Sequence, residues 1–593
     1  MLTLSLATTA LAAWTGFQNN GNSTNNGVVS TQPPITAPTL IVPDPVNNPN
    51  DPLMLPTSNP NGDVYSGIDT TSVINNGVAY TLYNGGVTQG LNGGARLQAT
   101  NITNAATVWN IQLDGLASNS NQLSTPYLIG YTLYAAVTVE TPIYGAASVN
   151  GWSASGTASI SGTTATFAPG TTGSISTTIN LANSVSYIYL PTNLYGSSGT
   201  YTITLDGTTL ASGSLSTYRT YDAYNGPTGA FSAGNHTLTI TVNNNTSNAT
   251  VNEITLIRYD WRIWSVNTAN GAASMVIGAA SINPLYEGQI NTPLSGDSNI
   301  SGNFYFGTFG GTHSYYQYNT ATSALTTFAA NDDFYGAGAV VVNLAGYSTN
   351  PGGKYSPAVV FGSESGTVYV QSGSAFATTL TTYNVTAGDK IRSSMAYDTV
   401  SSSAGSIYFT SYNSAGGTLW QLTNYGGIST GASTLTPVAL PGSSTSTPVI
   451  SQNGYIYTGW FGYDYVNFYS IGGVVGLPVS NFTTGARFDV YGNGITSGNP
   501  EGDPVQSSPI VWSDDDELID YVCFTTNADH TYDTTPVTNH NGYCYSVNVS
   551  GVTPASNLAW NPPTGGTYAL QGFASDGGYL IYGDDSNTLY IFH

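Results

Sequence analysis

Basic residues are scarce in this 593-residue sequence, which has 8 Lys and Arg against 31 Asp and Glu and a formal net charge of −23. So few cations cannot neutralise a phosphate backbone, which excludes a nucleic-acid-binding role. They also cannot form a basic patch for anionic lipid. Charged residues of both signs make up only 7% of the chain. Its polarity therefore comes from neutral Ser, Thr, Asn and Tyr side chains.

Long apolar runs and helical periodicity are also missing. No run approaches the ~20 apolar residues that a membrane-spanning helix needs, so no membrane span is predicted. The chain is 40% hydrophobic and 12% aromatic, which is enough to bury a large core and excludes disorder. Short Val, Ile, Tyr, Phe and Thr runs separated by Gly, Asn, Asp and Ser are typical of an all-β fold.

Only two cysteines occur, Cys523 and Cys544. They lie in aromatic-rich runs that predict paired strands flanking a polar loop, so we expect a disulfide and an extracellular or cell-surface location. Two free thiols in a reducing cytosol are the alternative. Asn-X-Ser/Thr sequons are predicted glycosylation sites of an exported chain. They begin at Asn22, Asn101, Asn235, Asn244, Asn245, Asn248, Asn299, Asn384, Asn481 and Asn548.

The apolar N-terminal segment, residues 1–13, leaves two interpretations open. Its sequence resembles the end of a secretory signal with a small-residue cleavage site. The alternation of Leu2, Leu4 and Leu6 with small or polar residues is instead a strand pattern. An apolar strand at a chain end needs a groove, such as one on a neighbouring copy, and these leucines are then assembly residues.

A recurrent unit organises most of the chain: a Ser/Thr-Pro step, a short apolar strand, a turn and an aromatic-rich strand. Its anchors are Val73, Pro126, Pro293, Pro357, Met395, Pro448, Pro509 and Phe573. The gaps between them are 53, 167, 64, 38, 53, 61 and 64 residues, and removing Gly145–Arg258 reduces the longest gap to 53. Units of ~40–60 residues predict a closed ring of four-stranded sheets. We therefore expect a seven- or eight-bladed β-propeller, closed by the early segment 36–42.

The stretch 145–258 has a different sequence pattern. Its strands alternate apolar and polar residues and are separated by Gly, Ser and Asn turns, which predicts an inserted β-sandwich. The propeller is then divided into 14–144 and 259–593. The step Gly234-Asn-His-Thr-Leu-Thr-Ile resembles one found in galactose-binding-like jelly rolls, including carbohydrate-binding modules. An immunoglobulin-like spacer that binds nothing is the alternative.

The repeats resemble those of PQQ-like β-propeller proteins. Trp14-Thr-Gly-Phe-Gln-Asn-Asn is similar to the opening of that family's repeat, and Asp260-Trp-Arg-Ile-Trp-Ser-Val-Asn-Thr-Ala-Asn-Gly271 looks like a degenerate copy. The resemblance implies the fold outside the insertion. It does not imply one function, because the family includes enzymes, assembly scaffolds and surface proteins.

No catalytic constellation is found in the sequence. The Cys-Cys pair of many quinone-dependent alcohol dehydrogenases is missing, and no catalytic residue can be carried over from that family. His530 and His540, with Asp529 and Asp533, could hold a metal, but a solvated loop is the simpler interpretation. We read the run 514–517 as an acidic turn between two strands. No catalytic, cofactor or metal residue is therefore predicted, and the chain is not expected to be an enzyme.

These features favour a glycosylated structural protein that assembles with copies of itself into a filament or a surface layer. Neutral Tyr, Thr, Asn and Gly surfaces can pack together without desolvating flexible cations. The first alternative is a carbohydrate-binding adhesin that recognises glycans through the insertion. The second is a secreted quinone-dependent dehydrogenase.

Overall fold

The structure is a computed structural model that describes most of the chain. The described residues are 32–34, 38–42, 53–54, 66–68, 70–85, 94–113, 124–217, 220–227, 229–278, 283–296, 302–342, 358–373, 375–398, 405–423, 434–464, 469–485, 487–492, 502–514, 516–527, 541–551, 554–561, 569, 571–584 and 587–593. The predicted segment 1–13, with Leu2, Leu4 and Leu6, lies outside them. So do Asn22, Asn299 and the loop that contains His530 and His540.

The repeated part of the chain forms eight antiparallel sheet units, numbered here in chain order. Sheet 1 follows β1 (Leu53–Met54) and contains β2 (Ser66–Gly67), β3 (Val73–Asn75), β4 (Val78–Gly85), β5 (Ala95–Asn101) and β6 (Thr107–Gln112). Sheet 2 contains β7 (Tyr127–Ile129), β8 (Thr132–Ala146), β18 (Ala249–Asn267) and β19 (Ala273–Ile277). Strands β9 to β17 belong to the insertion between β8 and β18.

The next three sheets have four strands each. Sheet 3 contains β20 (Ser295–Gly296), β21 (Asn303–Gly307), β22 (Ser314–Asn319) and β23 (Ala324–Ala329). Sheet 4 contains β24 (Val340–Val342), β25 (Ala358–Gly362), β26 (Thr367–Ser372) and β27 (Thr379–Asn384). Sheet 5 contains β28 (Ala396–Tyr397), β29 (Ile407–Asn413), β30 (Gly416–Thr423) and β31 (Thr434–Ala439).

The last three sheets complete the series. Sheet 6 contains β32 (Val449–Ile450), β33 (Tyr455–Asp464), β34 (Tyr469–Pro478) and β35 (Phe488–Tyr491). Sheet 7 contains β36 (Ile510–Asp514), β37 (Ile519–Thr525), β38 (Gly542–Asn548) and β39 (Ala555–Trp560). Sheet 8 contains β40 (Ala574–Asp576), β41 (Tyr579–Gly583), β42 (Thr588–Phe592) and, at its outer edge, β1. Two short 3-10 turns occupy Pro284–Tyr286 and Val479–Asn481.

The sheets form a closed ring because their cores are shared between neighbours. The first strands of adjacent sheets contact one another at several junctions, so they are the inner strands. Buried clusters join sheet 1 to 2, 2 to 3, 3 to 4, 4 to 5, 5 to 6 and 6 to 7, and a last cluster joins 7, 8 and 1. The prediction of an all-β propeller is confirmed, while the choice between seven and eight blades stays a prediction.

The two ends of the described chain meet in sheet 8, as the early apolar segment predicts. Leu40 forms a β-bridge with Phe592, and Thr39 exchanges two backbone hydrogen bonds with His593. Strand β1 continues this edge by pairing with β42. Ring closure therefore depends on contacts between residues at the extremes of the sequence, whose loop-closure cost is correspondingly large.

The Ser/Thr steps of the repeat are hydrogen-bonded links between sheets. We define the link position as the residue two places before each inner strand. At this position, Gly338 N donates to Ser394 Oγ, Ser394 N to Thr447 Oγ1, and Thr447 N to Ser508 Oγ, each at 2.9 Å. Thr71 N donates to Thr125 Oγ1 at 3.3 Å. A hydroxyl recurs here because it satisfies a buried amide of the preceding sheet.

One anchor of the predicted repeat was misplaced. Pro357 immediately precedes β25, the second strand of sheet 4, whereas the inner strand is β24 with Gly338 at its link position. This explains the short gap of 38 residues before Met395. In sheet 3, Pro293 itself occupies the link position, where it has no N–H to donate.

The insertion consists of two five-stranded layers around one core. Its strands are β9 (Ser153–Gly156), β10 (Ala158–Ser161), β11 (Thr164–Phe167), β12 (Gly170–Leu181), β13 (Tyr187–Tyr195), β14 (Thr200–Leu205), β15 (Thr208–Ser214), β16 (Thr220–Asn225) and β17 (Gly234–Asn245). One layer has the order β10-β11-β18-β13-β16 and the other β15-β14-β17-β12-β9. Buried Phe167, Ile175, Leu190 and Ile240 belong to their shared cluster.

The predicted boundaries of the insertion, Gly145 and Arg258, fall within continuous strands rather than linkers. Strands β8 and β18 pair from Thr132 opposite Asn267 to Ala146 opposite Ile254, so one ladder runs from sheet 2 into the insertion. The domain division at 145–258 and the jelly-roll classification stay predictions. The ladder joins the two parts through paired strands, with one register shift between Leu256 and Ile257.

Candidate functional site

Two faces of the propeller follow from the direction of its strands. The link residues lie side by side, so all inner strands start on one face, which we name the link face. The second strand of each sheet is antiparallel to the first and returns to the link face, so the first strand ends on the opposite side, which we name the hairpin face. Because the insertion interrupts the connection from β8 to β18, it projects from the link face.

A buried ion pair lies where the insertion joins the propeller. The guanidinium of Arg258 is fully buried and donates from Nε and Nη2 to Asp260 Oδ1 at 2.9 and 2.6 Å. Its Nη1 donates to the carbonyl of Ser184 in the insertion, and Nη2 also reaches the carbonyl of Asn283 in the propeller. Burial raises the pKa of Asp260 to about 6, against the opposing effect of Arg258. Arg258 thus connects both parts through one side chain.

A second buried carboxylate reinforces this joint. Glu287 is 1% exposed. Its Oε1 accepts the backbone amides of Ser186 and Tyr187 at 2.8 and 2.9 Å, and its Oε2 accepts the Ser186 hydroxyl at 2.6 Å. Since a buried charge is costly unless it is hydrogen-bonded, this arrangement strongly favours one fixed position of β13 against the propeller.

The third contact of the joint involves a histidine. His313 Nδ1 lies 2.9 Å from Asp333 Oδ1, and the other oxygen of Asp333 accepts from Asn225 of the insertion at 2.9 Å. The hydrogen bond to Asp333, the charge of that residue and the backbone of Gly226 raise the pKa of His313. Nothing in the sequence indicates that Asp333 contacts the insertion.

Beside the joint, a row of aromatic rings crosses the link face from sheet 3 to sheet 6. We name Phe309, Tyr335, Arg392, Tyr412 and Phe461 the arc. Phe309 and Tyr335 have ring centroids 5.4 Å apart, and those of Tyr412 and Phe461 are 6.2 Å apart. The Cζ atom of Arg392 lies 4.3 Å from the centroid of Tyr335 and 5.8 Å from that of Tyr412. Such cation–π contacts orient the guanidinium.

The arc also carries a second cation and one carboxylate. Arg392 donates from Nε and Nη2 to the two oxygens of Glu364, at 2.6 and 2.8 Å. Lys390 Nζ lies 3.2 Å from Glu364 Oε2, and its side chain is 46% exposed. Two cations share one carboxylate, and Asp333, which accepts the amide of Gly310 beside Phe309, places a further carboxylate at the other end of the arc. The sequence does not predict the arc, because Tyr412 and Phe461 belong to different sheets and Phe309, Tyr335 and Arg392 lie in separate connecting segments.

The predicted disulfide is present. Cys523 and Cys544 are direct partners in the ladder of β37 and β38 and are bonded, with Cα atoms 4.1 Å apart. The bond joins these two neighbouring strands near the ends where β37 finishes and β38 begins. The run 514–517 includes a turn between β36 and β37, as predicted, on the hairpin face.

The described sequons differ in their exposure. Asn101 is half-buried, and Asn235, Asn244, Asn248, Asn384, Asn481 and Asn548 are exposed. Asn245 is 3% exposed, and its Nδ2 donates to the carbonyls of Phe167, Ala168 and Ser247. This nitrogen is therefore inaccessible to a glycan in the folded chain. Glycosylation of the exposed asparagines stays a prediction.

The jelly-roll-like step of the insertion has a structural role. His236 is 8% exposed, its Nδ1 lies 2.6 Å from Asp206 Oδ2, and its Nε2 contacts the carbonyl of Ser232. Asp206 also accepts the backbone amide of Thr237 at 2.7 Å. His236 thus fixes the turn between β14 and β15. The step therefore gives no independent support for a sugar site.

Buried carboxylates outnumber buried cations in the propeller. In the described ranges the buried acidic residues are Asp260, Glu287, Asp389, Asp398, Asp520, Asp576 and Asp584, and the buried arginines are Arg258 and Arg262. Asp520 accepts from Tyr457, Asn453 and Ser513, all neutral. Asp576 is 3% exposed, and neither of its oxygens has a hydrogen-bond partner among the described residues. Burial raises its pKa to about 6.

The described part of the chain has neither a candidate metal cluster nor a candidate membrane-spanning helix. No group of three or more His, Cys, Asp or Glu side chains there is placed to hold a metal ion. No helix among those residues is long and apolar enough to cross a membrane.

Comparisons with known proteins give remote structural likenesses. No protein-family model and no curated protein matches the sequence. BamB from Moraxella catarrhalis is 11% identical, with a TM-score of 0.35 over 57% of this chain and 81% of that one. A europium-containing methanol dehydrogenase is 9% identical, with a TM-score of 0.36 over 98% of both chains. A carbohydrate-binding module, CBM36 in complex with calcium and xylotriose, is 12% identical, with a TM-score of 0.15 over 20% of this chain and 98% of its own.

These likenesses assign no function. The propeller is defined by the strand order and the shared cores of this chain, and the site residues described above come from its own geometry.

Proposed function

We propose that this chain is an extracellular, glycosylated structural subunit that assembles with copies of itself into a filament or a surface layer. The observation that carries the proposal is the stiff union of insertion and propeller. One ladder runs through both parts. Arg258 and Glu287 then fix them with buried hydrogen bonds. An ordered polymer requires a subunit of one shape, because any variation between subunits would accumulate along the assembly.

The surface composition supports the same proposal. With 7% charged residues, two copies can approach without desolvating many ionic side chains. The disulfide supports export to an oxidising compartment. Repulsion between the negative charges is screened beyond ~8 Å at physiological salt.

The carbohydrate-binding alternative has less support. Glycan sites in such modules need accessible aromatic faces, whereas the described residues of the insertion include no exposed large hydrophobic side chain. The outer layer instead presents Ser and Thr in cross-strand register, such as Ser174, Thr241 and Thr202. The dehydrogenase alternative has no candidate metal cluster among the described residues.

The test is the assembly state of the purified full-length chain. Sedimentation velocity over a rising concentration series should show a shift from monomer to large species, and electron microscopy should show ordered polymers. A chain that stays monomeric throughout, or that oxidises an alcohol or a sugar with an added quinone, would contradict the proposal.

A further inference from the structure

We propose that an N-linked glycan on Asn384 folds back onto the link face of its own chain and lies along the arc. This inference rests on the glycosylation that the proposed function includes. It goes further, because it names a sequon whose sugar chain becomes part of the folded surface, and it gives the arc a ligand of stated chemistry, a hydroxyl-rich glycan.

Asn384 stands at the edge of the link face. It is exposed and is the last residue of β27, the outer strand of sheet 4, where it pairs with Thr367. The other described sequons of the propeller, at Asn101, Asn481 and Asn548, lie at the hairpin-face ends of third strands. A glycan on Asn384 therefore starts on the same face as the arc.

Two routes connect Asn384 with the arc. Thr367 Oγ1 donates to Asn384 Oδ1 at 3.1 Å and lies 3.0 Å from Ser365 Oγ. Ser365 Oγ in turn donates to Asp332 Oδ2 at the border of the arc. The backbone also runs from Asn384 to Arg392 in eight residues, a span of at most about 29 Å. A glycan of several sugars covers this distance.

The polar groups of the arc suit hydroxyls better than ions. The arc and its border carry the cations Lys390 and Arg392 and the carboxylates Asp332, Asp333 and Glu364. A charged partner would meet repulsive groups as well as attractive ones, and an apolar partner would remove these ions from water at a high cost. A sugar hydroxyl both donates and accepts, so it can bond to a carboxylate and to a cation.

The aromatic side chains of the arc supply the other half of a sugar-binding surface. All four rings are half-buried, so each keeps part of its surface open to a ligand. The face of an aromatic ring is negatively polarised and attracts C–H groups, which sugar rings present on their flat sides. Rings that alternate with fixed polar groups are thus suited to a glycan lying flat across them.

The arc is also walled at its far end. Strand β33 has ten residues, whereas β25, the corresponding strand of sheet 4, has five. The additional residues extend β33 beyond Phe461 on the link face, and Tyr463 in this extension is 44% exposed. The joint with the insertion borders the opposite end. The arc is therefore the floor of a groove between two parts of the chain, where ligand sites commonly occur.

Footprinting of the monomeric full-length chain, produced in a host that adds N-linked glycans, tests this inference. Mass spectrometry of its peptides first measures the occupancy of Asn384. Asn384→Gln and Thr386→Ala each remove the sequon, and Thr386→Ala leaves the Asn384 side chain in place. In both variants hydroxyl radicals should oxidise Tyr335 and Tyr412 several-fold faster than in the unmodified chain, because the glycan no longer covers them.

Two controls accompany the footprint. Asn481→Gln removes a sequon on the hairpin face and should leave the oxidation of the arc unchanged. Tyr131, which is 75% exposed on the hairpin face, should be oxidised at one rate in every variant. Circular dichroism spectra must match that of the unmodified chain.

A second measurement follows the glycan instead of the arc. Tyr412→Leu keeps an apolar side chain but removes one ring, so an endoglycosidase should release the Asn384 glycan several-fold faster than from the unmodified folded chain. Release of the Asn481 glycan should not change. Tyr131→Leu is the matched control, because it removes an exposed ring from the opposite face, and it should alter neither rate.

The outcomes separate this inference from the proposed function. An Asn384 that carries no glycan, or a footprint that is the same in all variants, overturns the inference. Protection of Tyr335 and Tyr412 that develops only on assembly also overturns it, because the groove then holds a neighbouring copy. Sedimentation of the same preparations reports on assembly independently. A chain that stays monomeric contradicts the structural role, whereas the covered arc in that monomer supports the glycan contact.

Discussion

The propeller and the insertion stabilise themselves in different ways. The insertion has one apolar core between two layers, and none of the buried Asp and Glu residues of the described chain lies within 145–258. The propeller divides its core into clusters between sheets and buries seven carboxylates with one arginine, Arg262, while Arg258 is the last residue of 145–258. Buried carboxylates thus occur in the propeller, whose separate sheets pack against one another, and not in the single core of the insertion. The difference predicts that pH and polar substitutions act mainly on the propeller.

The largest effect is expected at the joint of the two parts. Arg258→Ala would leave the Asp260 carboxylate and the Ser184 carbonyl buried without their donor. Breaking a buried pair in this way costs about 3–5 kcal/mol. Calorimetry should show a lower melting temperature and the separation of one transition into two, as the insertion and the propeller uncouple. Arg487→Ala removes a more exposed arginine and should change neither. A single transition at the original temperature would show that Arg258 does not stabilise the joint.

The disulfide gives the next largest effect. Cys523 and Cys544 are 21 residues apart in sequence, and a loop of this length corresponds to about 3 kcal/mol in the chain-entropy model. The double substitution Cys523→Ala and Cys544→Ala should lower the melting temperature of the coupled transition and, in the Arg258→Ala background where the two parts unfold separately, lower only the transition of the propeller. Urea unfolding monitored by Trp fluorescence measures the loss. Equal destabilisation of both parts would contradict the separation of their cores.

The sequence was sufficient for features that repeat or that depend on composition. The all-β class, the ring, its closure through residues near position 40 and the disulfide follow from strand patterns, turn residues and the aromatic runs around Cys523. The anchor at Pro357 was assigned to the wrong strand, because a Ser-Pro step also precedes β25, the second strand of sheet 4. The arc and the joint could not be predicted. Tyr335, Arg392, Tyr412 and Phe461 are far apart in the sequence. Only the closed arrangement of sheets brings their side chains together.

The third prediction concerns pH. Burial raises the pKa of Glu140 to about 7 and that of Asp260 and Asp576 to about 6, all in the propeller part. A raised pKa means that the folded state binds the proton more tightly than the unfolded state. The resulting stability is complete below about pH 4 and is lost as the pH rises to about 7. In the insertion, Asp206 acts in the opposite direction, because the Thr237 amide and His236 lower its pKa.

The substitution Asp576→Asn isolates this effect. It should stabilise the propeller at pH 7 by about 2 kcal/mol, because the amide avoids the cost of ionising this buried carboxyl, and have almost no effect at pH 4. Asp516→Asn, in an exposed turn, is the control and should be neutral at both pH values. Melting temperatures across this pH range measure the difference. A stability that rises from pH 4 to pH 7 in the unmodified chain would refute the expectation.

The smallest predicted effect compares the same substitution in the two parts. Thr447→Val removes the hydroxyl that accepts the buried amide of Ser394, and leaving that donor unpaired should cost about 1 kcal/mol. Thr241→Val replaces a threonine of β17 whose hydroxyl faces outward from the insertion, where water replaces any lost bond. Because valine suits a strand as well as threonine does, this variant should be neutral or slightly stabilising. Thermal unfolding of both variants under identical conditions decides the matter. Equal losses of stability in the two variants would mean that the link hydroxyls contribute no more than a surface hydroxyl does. The recurrence of Ser and Thr before the inner strands would then have a cause other than the hydrogen bonds between sheets.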